Sequence, residues 1–211
     1  MLKRHSLLLG IILSIIFMIT ATVNYPGGSQ ADKNSIGFSW ENNYISNLFE
    51  EQAVNDAPNT ARPWAVGGMI SLSIACSIFF VEFSRKIPDQ SAAKVIKYFG
   101  IAGMLFTFLI ATPLHDIMVT VSSTIFLLSM FYITVFVFRS RLHIFKLLCV
   151  LYLLSFYSIM YIYGSGHLRQ YLPIIQKVLF ASTVLLILGL HYLSKAEDFK
   201  STKTAALKPA D

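Results

Sequence analysis

Residues 97–139 read KYFGIAGMLFTFLIATPLHDIMVTVSSTIFLLSMFYITVFVFR. No charge interrupts Tyr98 to Ala111, and none interrupts the 22 residues from Ile117 to Phe138. A bilayer core about 30 Å thick takes roughly 20 apolar residues to cross as a helix. The stretch is therefore predicted to be a transmembrane helical hairpin. Pro113 closes its first arm, because the residue before a proline is pushed out of helical geometry. His115 and Asp116 are then crowded into the turn.

Composition supports this reading across the whole chain. Its 211 residues are 55% hydrophobic and 13% charged, against about 25% charged in a typical soluble domain. Cys76 and Cys149 both fall inside apolar runs. There they read as small buried hydrophobes, not as a disulfide or as reactive thiols, which need an exposed electropositive site.

Outward from the hairpin, the same criterion gives spans at about 7–23, 64–83, 95–113, 117–138, 147–163 and 174–192. The expected fold is all-α: one polytopic domain over residues 1–193 with six transmembrane helices. A tail over 194–211 is expected to be disordered. The first apolar run follows Lys3-Arg4-His5 and has two readings, a cleaved signal peptide or a retained first helix. At 17 residues it exceeds the usual signal core of about 7–15, which favours retention. Small residues recur every four in the second span (Gly67, Ser71, Ala75, and likewise Ser73, Ser77) and nearly so in the third (Gly100, Gly103, Thr107, Ala111). They predict close packing of those two helices. In the fifth span Tyr161 and Tyr163 suit an interfacial belt, and Tyr157 is expected deeper, hydrogen-bonded to a neighbour. No proline interrupts a span and no repeat relates the halves, which counts against a secondary transporter.

Residues 24–63 are the only long polar segment. Within them Ile45, Leu48, Phe49 and Gln52 stand at i, i+3, i+4 and i+7, predicting a short amphipathic helix that caps the bundle. Six spans would place 13 of the 17 basic residues with the two termini. By the positive-inside rule both termini are then cytoplasmic and the long first loop is extracytoplasmic. The net charge of +6 is thus a topological signature, and a nucleic-acid partner has no support.

Ionisable residues at membrane depth are costly and mark candidate sites. Those expected near the outer rim are Arg62, His115, Asp116, His167, Arg169 and Lys177. Lys177 lies about one turn, roughly 6 Å, past Pro173. It must snorkel or find a partner, Asp116 first, with Glu41, Glu50 and Glu51 as rivals. Glu82, near the inner end, is expected to pair with Arg85 or Lys86. His5, His143 and His191 are read as interfacial. No His-x-x-x-His or Glu-x-x-His pair occurs within a helix, so no metal site is expected. No phosphate loop, dinucleotide fingerprint or nucleophile elbow occurs either, and no cofactor is implied.

The loop element Tyr44-Ile45-Ser46-Asn47-Leu48 and the His115-Asp116 pair opening the fourth helix resemble those of bacterial membrane proteins grouped as domain-of-unknown-function family 998. More distantly the chain is similar to the damage-regulated autophagy modulator (DRAM-like) membrane proteins. The resemblance implies six helices and the bacterial cytoplasmic membrane, and it brings no established activity. Three functions are open at this point. One is a non-enzymatic module holding a lipid headgroup, an amphiphile or a partner protein at the outer rim. The second is a membrane-embedded lipid hydrolase or transferase with His115 as base and Asp116 orienting it. The third is a small-solute transporter. The first accounts best for polar residues gathered without nucleophile-and-base logic.

Overall fold

In the computed structural model of the chain six long helices follow one another: α1 (Leu2–Val23), α2 (Arg62–Ser84), α3 (Gln90–Phe108), α4 (His115–Arg139), α5 (His143–Ser165) and α6 (Leu172–Leu193). The structure describes residues 2–109 and 115–200, without the side chains of residues 2–4, 108, 115 and 116. Among these residues there is no strand, only two isolated bridges in the first loop. Helix ends follow local chemistry. Pro63 and Pro173 lie in the first turns of α2 and α6, where their missing N–H is not needed. Gly166, with φ +75°, ends α5 in the left-handed conformation that glycine adopts without penalty.

Five helical segments are long and apolar enough to cross a bilayer: His5–Val23, Arg62–Ser84, Ile117–Arg139, His143–Ser165 and Arg169–Leu193. The third expected span behaves differently. α3 starts early, at Gln90, because the Asp89 carboxylate caps it by accepting the Ala92 N–H at 2.7 Å. Its first two turns therefore carry Lys94 and Lys97, and residues 110–113 of the expected span lie outside the described residues. Large apolar side chains stand exposed along the helices, such as Leu9, Ile16 and Ile19 on α1 and Leu147 and Leu154 on α5. In water such continuous faces would aggregate, whereas acyl chains solvate them. This is a membrane protein.

Neighbouring helices run antiparallel. Gly10 of α1 lies against Ala75 and Ser71 of α2, and Gly67 and Gly68 lie against Phe17 and Met18. The Gly67-Ser71-Ala75 stripe thus faces α1, where Gly10 allows a close approach, while α2 and α3 pack together as expected. The α2–α3 contact runs instead through Phe80, whose ring sits over Gly100, and through the Ser73 hydroxyl, which donates to the Met104 carbonyl at 3.3 Å. A Cβ added at Gly100 would stand 2.2 Å from that ring, so glycine is required there by space alone. Gly103 in turn meets Phe126 of α4.

Two ends of the bundle can be distinguished. At the end where α1 begins and α6 finishes, the His5 and Tyr192 rings stack 6.3 Å apart. Here Lys86 reaches across from the end of α2 to the end of α6. Its Nζ donates to the carbonyls of Leu190, His191 and Ser194 at 2.9, 2.8 and 2.8 Å. Burial holds its pKa below the usual lysine range, with Glu82 and Asp198 opposing the shift. Glu82 does not pair with Arg85 or Lys86 as expected: its carboxylate lies 3.4 Å from His191 Nδ1. Nor is the tail disordered from its first residue. Residues 196–199 form a short turn that buries Phe199 edge-on against Phe83. A lone phenylalanine in a polar tail was the available signal. Residues 201–211 lie outside the described residues.

At the opposite end the first loop closes over the bundle. The expected amphipathic helix is a single 3-10 turn, Ile45–Leu48. Gln52 is exposed and bridged to Pro58, so it takes no part. Asparagine side chains compete for the backbone and hold the loop in an irregular path. Asn43, fully buried, donates to the Gly28 carbonyl and accepts from the Ser39 N–H, both at 2.8 Å. Asn59 donates to the carbonyls of Asn47 and Glu50, both at 2.9 Å. Leu48 and Phe49 are buried in a cluster with Ala21, Tyr25, Ala61 and Ala65, so this segment does cap α1 and α2.

Candidate functional site

Between α1–α4 on one side and the α5–α6 hairpin on the other lies a cavity of about 770 Å³. That is within the roughly 300–1,000 Å³ of small-molecule sites. Its rim is at the loop-bearing end and is polar. Tyr44, Asn47 and Glu50 reach it from the loop, Tyr163 from the end of α5, and Arg169 and Gln176 from around the start of α6. Farther in, its wall is mainly apolar, with Leu72 from α2, Met104 from α3, Phe126 from α4, Phe156 from α5, and Phe180 and Val184 from α6. Ile11, Cys76, Tyr152 and Ile187 line its inner part. Tyr163 and Tyr152 are eleven residues apart on α5, as are Gln176 and Ile187 on α6. At about 1.5 Å per residue the polar rim stands roughly 16 Å above the inner end.

The rim is fixed by contacts that tie loop to helix. The Ile45 N–H donates to the Gln176 side-chain carbonyl at 2.9 Å. Lys177 Nζ donates to the Asn43 carbonyl at 2.7 Å and to the Pro173 carbonyl at 3.0 Å, and it lies 5.8 Å from the Phe38 ring centroid. Among the described residues its partners are thus carbonyls and a ring face, and none of Glu41, Glu50 and Glu51 pairs with it; the Asp116 side chain lies outside the described residues. The Pro173 carbonyl stands in the first turn of α6, and the Lys177 ammonium reaches back to it from one turn on. Lys177→Met is expected to leave α6 formed and to free the loop. A lost hydrogen bond to a charged group is worth about 1.5–3 kcal/mol, or roughly tenfold and more in local opening. Amide exchange at Asn43, Tyr44 and Ile45 should accelerate accordingly. Exchange unchanged at all three would show that the lysine does not hold the loop.

Of the six residues singled out in the sequence, Arg169 and Lys177 come to the rim or beside it. Arg169 lines the cavity, and its positive charge opposes the rise that burial imposes on the Tyr44 pKa. Arg62 is directed to Glu51, 3.2 Å away, in an exposed pair outside the cavity lining. His167 is exposed, its backbone N–H donating to Ser165 Oγ. The backbone places His115 and Asp116 at the start of α4, but their side chains lie outside the described residues, as do residues 110–114. Among the described residues no group of histidine, cysteine and carboxylate side chains could hold a metal ion.

Sequence reasoning missed most of the lining. Tyr157, expected to be deep, is 58% exposed, while Tyr152, a turn and a half away, is 1% exposed and lines the cavity. In lipid both faces of a helix are apolar, so periodicity does not say which one packs. The hydroxyls offered the only signal. Thr107, Ser122 and Thr183 line the cavity with their hydroxyls donating to carbonyls of their own helices. Ser14 Oγ and Tyr152 Oη are buried and have no hydrogen-bond partner among the described residues.

No family model, curated protein or solved structure matches the chain.

Proposed function

We propose that the protein spans the bacterial cytoplasmic membrane six times with both termini cytoplasmic, and that its central cavity binds one lipid-like amphiphile from the outer leaflet. The polarity gradient of the cavity carries this proposal. Charged and amide side chains stand only at the loop-bearing mouth among the described lining residues, and a wall of leucine, methionine and phenylalanine with a few scattered hydroxyls leads inward. An amphiphile has the same gradient, headgroup then chain, and would desolvate its chain without desolvating its head. The loop, tied down through Asn43 and Gln176, forms one side of the mouth. The resemblance to the six-helix family supports the span count. The 13 basic residues gathered with the termini support the orientation.

The test is a series of dodecyl amphiphiles with anionic, zwitterionic and cationic headgroups, added to the purified protein in lipid nanodiscs. A ligand bound only by the folded state raises stability by about 2.7 kcal/mol at a hundredfold excess over its Kd. At least one headgroup class is expected to raise Tm in this concentration-dependent way. A flat response to all three would count against an amphiphile site.

A further inference from the structure

The inner end of the cavity is not wholly apolar. Tyr152 is 1% exposed, lines the cavity, and its hydroxyl has no hydrogen-bond partner among the described residues. A buried hydroxyl left unbonded is unfavourable and rare. A serine or threonine can escape this by donating back to its own helix, as Thr183 does on the facing wall, although the Ser14 hydroxyl does not. Tyr152 has no such recourse, since its oxygen lies a full ring away from its own backbone. A plain hydrocarbon chain filling the cavity would leave the phenol as unsatisfied as before. At the other end, Arg169 and Glu50 are the two charged residues among the described lining. Arg169 stands near the half-buried Tyr44, which offers a guanidinium and a phenol to one headgroup.

We infer that the cavity takes an amphiphile with oxygen at both ends: an anionic headgroup at Arg169 and, roughly 16 Å deeper by helix rise, a hydroxyl or carbonyl oxygen that accepts the Tyr152 O–H. This rests on the amphiphile site proposed above and names its ligand class. The guanidinium supplies paired donors for a carboxylate or phosphate at the wet rim. The phenol distinguishes ligands by the oxygen at their buried end, because a partner that lacks it leaves a polar group unpaired. Ordered water at the inner end is the competing way to satisfy Tyr152, and it would give no such discrimination.

Equilibrium dialysis of the full chain in nanodiscs, against empty nanodiscs, can compare dodecanoate with ω-hydroxydodecanoate. The wild type is expected to hold the hydroxy acid about tenfold more tightly, the factor corresponding to one hydrogen bond. Tyr152→Phe keeps the ring and should reduce the hydroxy acid to the level of dodecanoate, whose own binding stays unchanged and reports an intact site. Arg169→Gln should weaken both ligands. Equal affinities in the wild type, or a preference that survives Tyr152→Phe, would overturn the inference and leave the amphiphile site standing. Binding of neither acid above the empty nanodiscs would remove both.

Discussion

Lys86→Met is expected to lower the stability of the bundle by about 2–4 kcal/mol, which for a chain of this length corresponds to a fall in Tm of roughly 5–15 °C. The last carbonyls of any helix lack intrahelical partners. In α6 three of these terminal oxygens, those of Leu190, His191 and Ser194, accept from the one ammonium. The positive charge also sits at the negative end of the α6 dipole. Methionine keeps the apolar stem and removes the donors, so packing is preserved and the carbonyls alone are exposed as the cause. The effect should extend beyond α6, because Lys86 is one of few links between α2 and the α5–α6 hairpin at this end. Arg85→Met, one residue earlier at an exposed position, is expected to change Tm little. Thermal unfolding in one detergent compares the two directly. Equal Tm values for the two variants would mean that the cap is geometric only.

The second large effect is on the cavity. Val184 lines it midway down α6 and is partly buried. Val184→Trp adds a bicyclic ring where the wall faces open volume, so overpacking of the core is avoided and Tm should change by only a few degrees. Ligand binding should fall at least about tenfold, since filling occupied space forces shifts worth about 1–3 kcal/mol. A variant with unchanged ligand affinity would place the ligand elsewhere. A variant that unfolds would be replaced by Leu72→Trp, which enters the same cavity from α2.

How much of this was legible beforehand follows from what lipid does to a sequence. The helices were legible, because long apolar runs ended by Arg139, by Pro113 or by the Arg85-Lys86 pair carry the length criterion directly. The loop's capping role was legible through Leu48 and Phe49. Its conformation was not: the i, i+7 pattern ignored the asparagines at 43, 47, 55 and 59, whose side chains take over backbone hydrogen bonds. The reach of Lys86 to α6 and the partner of Lys177 were hidden for a different reason. Sequence spacing ranks carboxylates as lysine partners, whereas at helix ends the plentiful acceptors are backbone carbonyls. The cavity was the least legible feature. It is assembled from positions spread over all six helices, and where lipid and protein interior are equally apolar, no periodicity marks the inward face. Only Arg169, Lys177 and the run of hydroxyls pointed towards it.

The most direct measurement is native mass spectrometry of the protein released gently from nanodiscs, with Val184→Trp run beside the wild type. The expected result is one amphiphile retained per wild-type chain and its loss from the variant, at equal folded yield. A wild type that emerges bare, or adducts identical in the two proteins, would contradict a ligand-holding cavity.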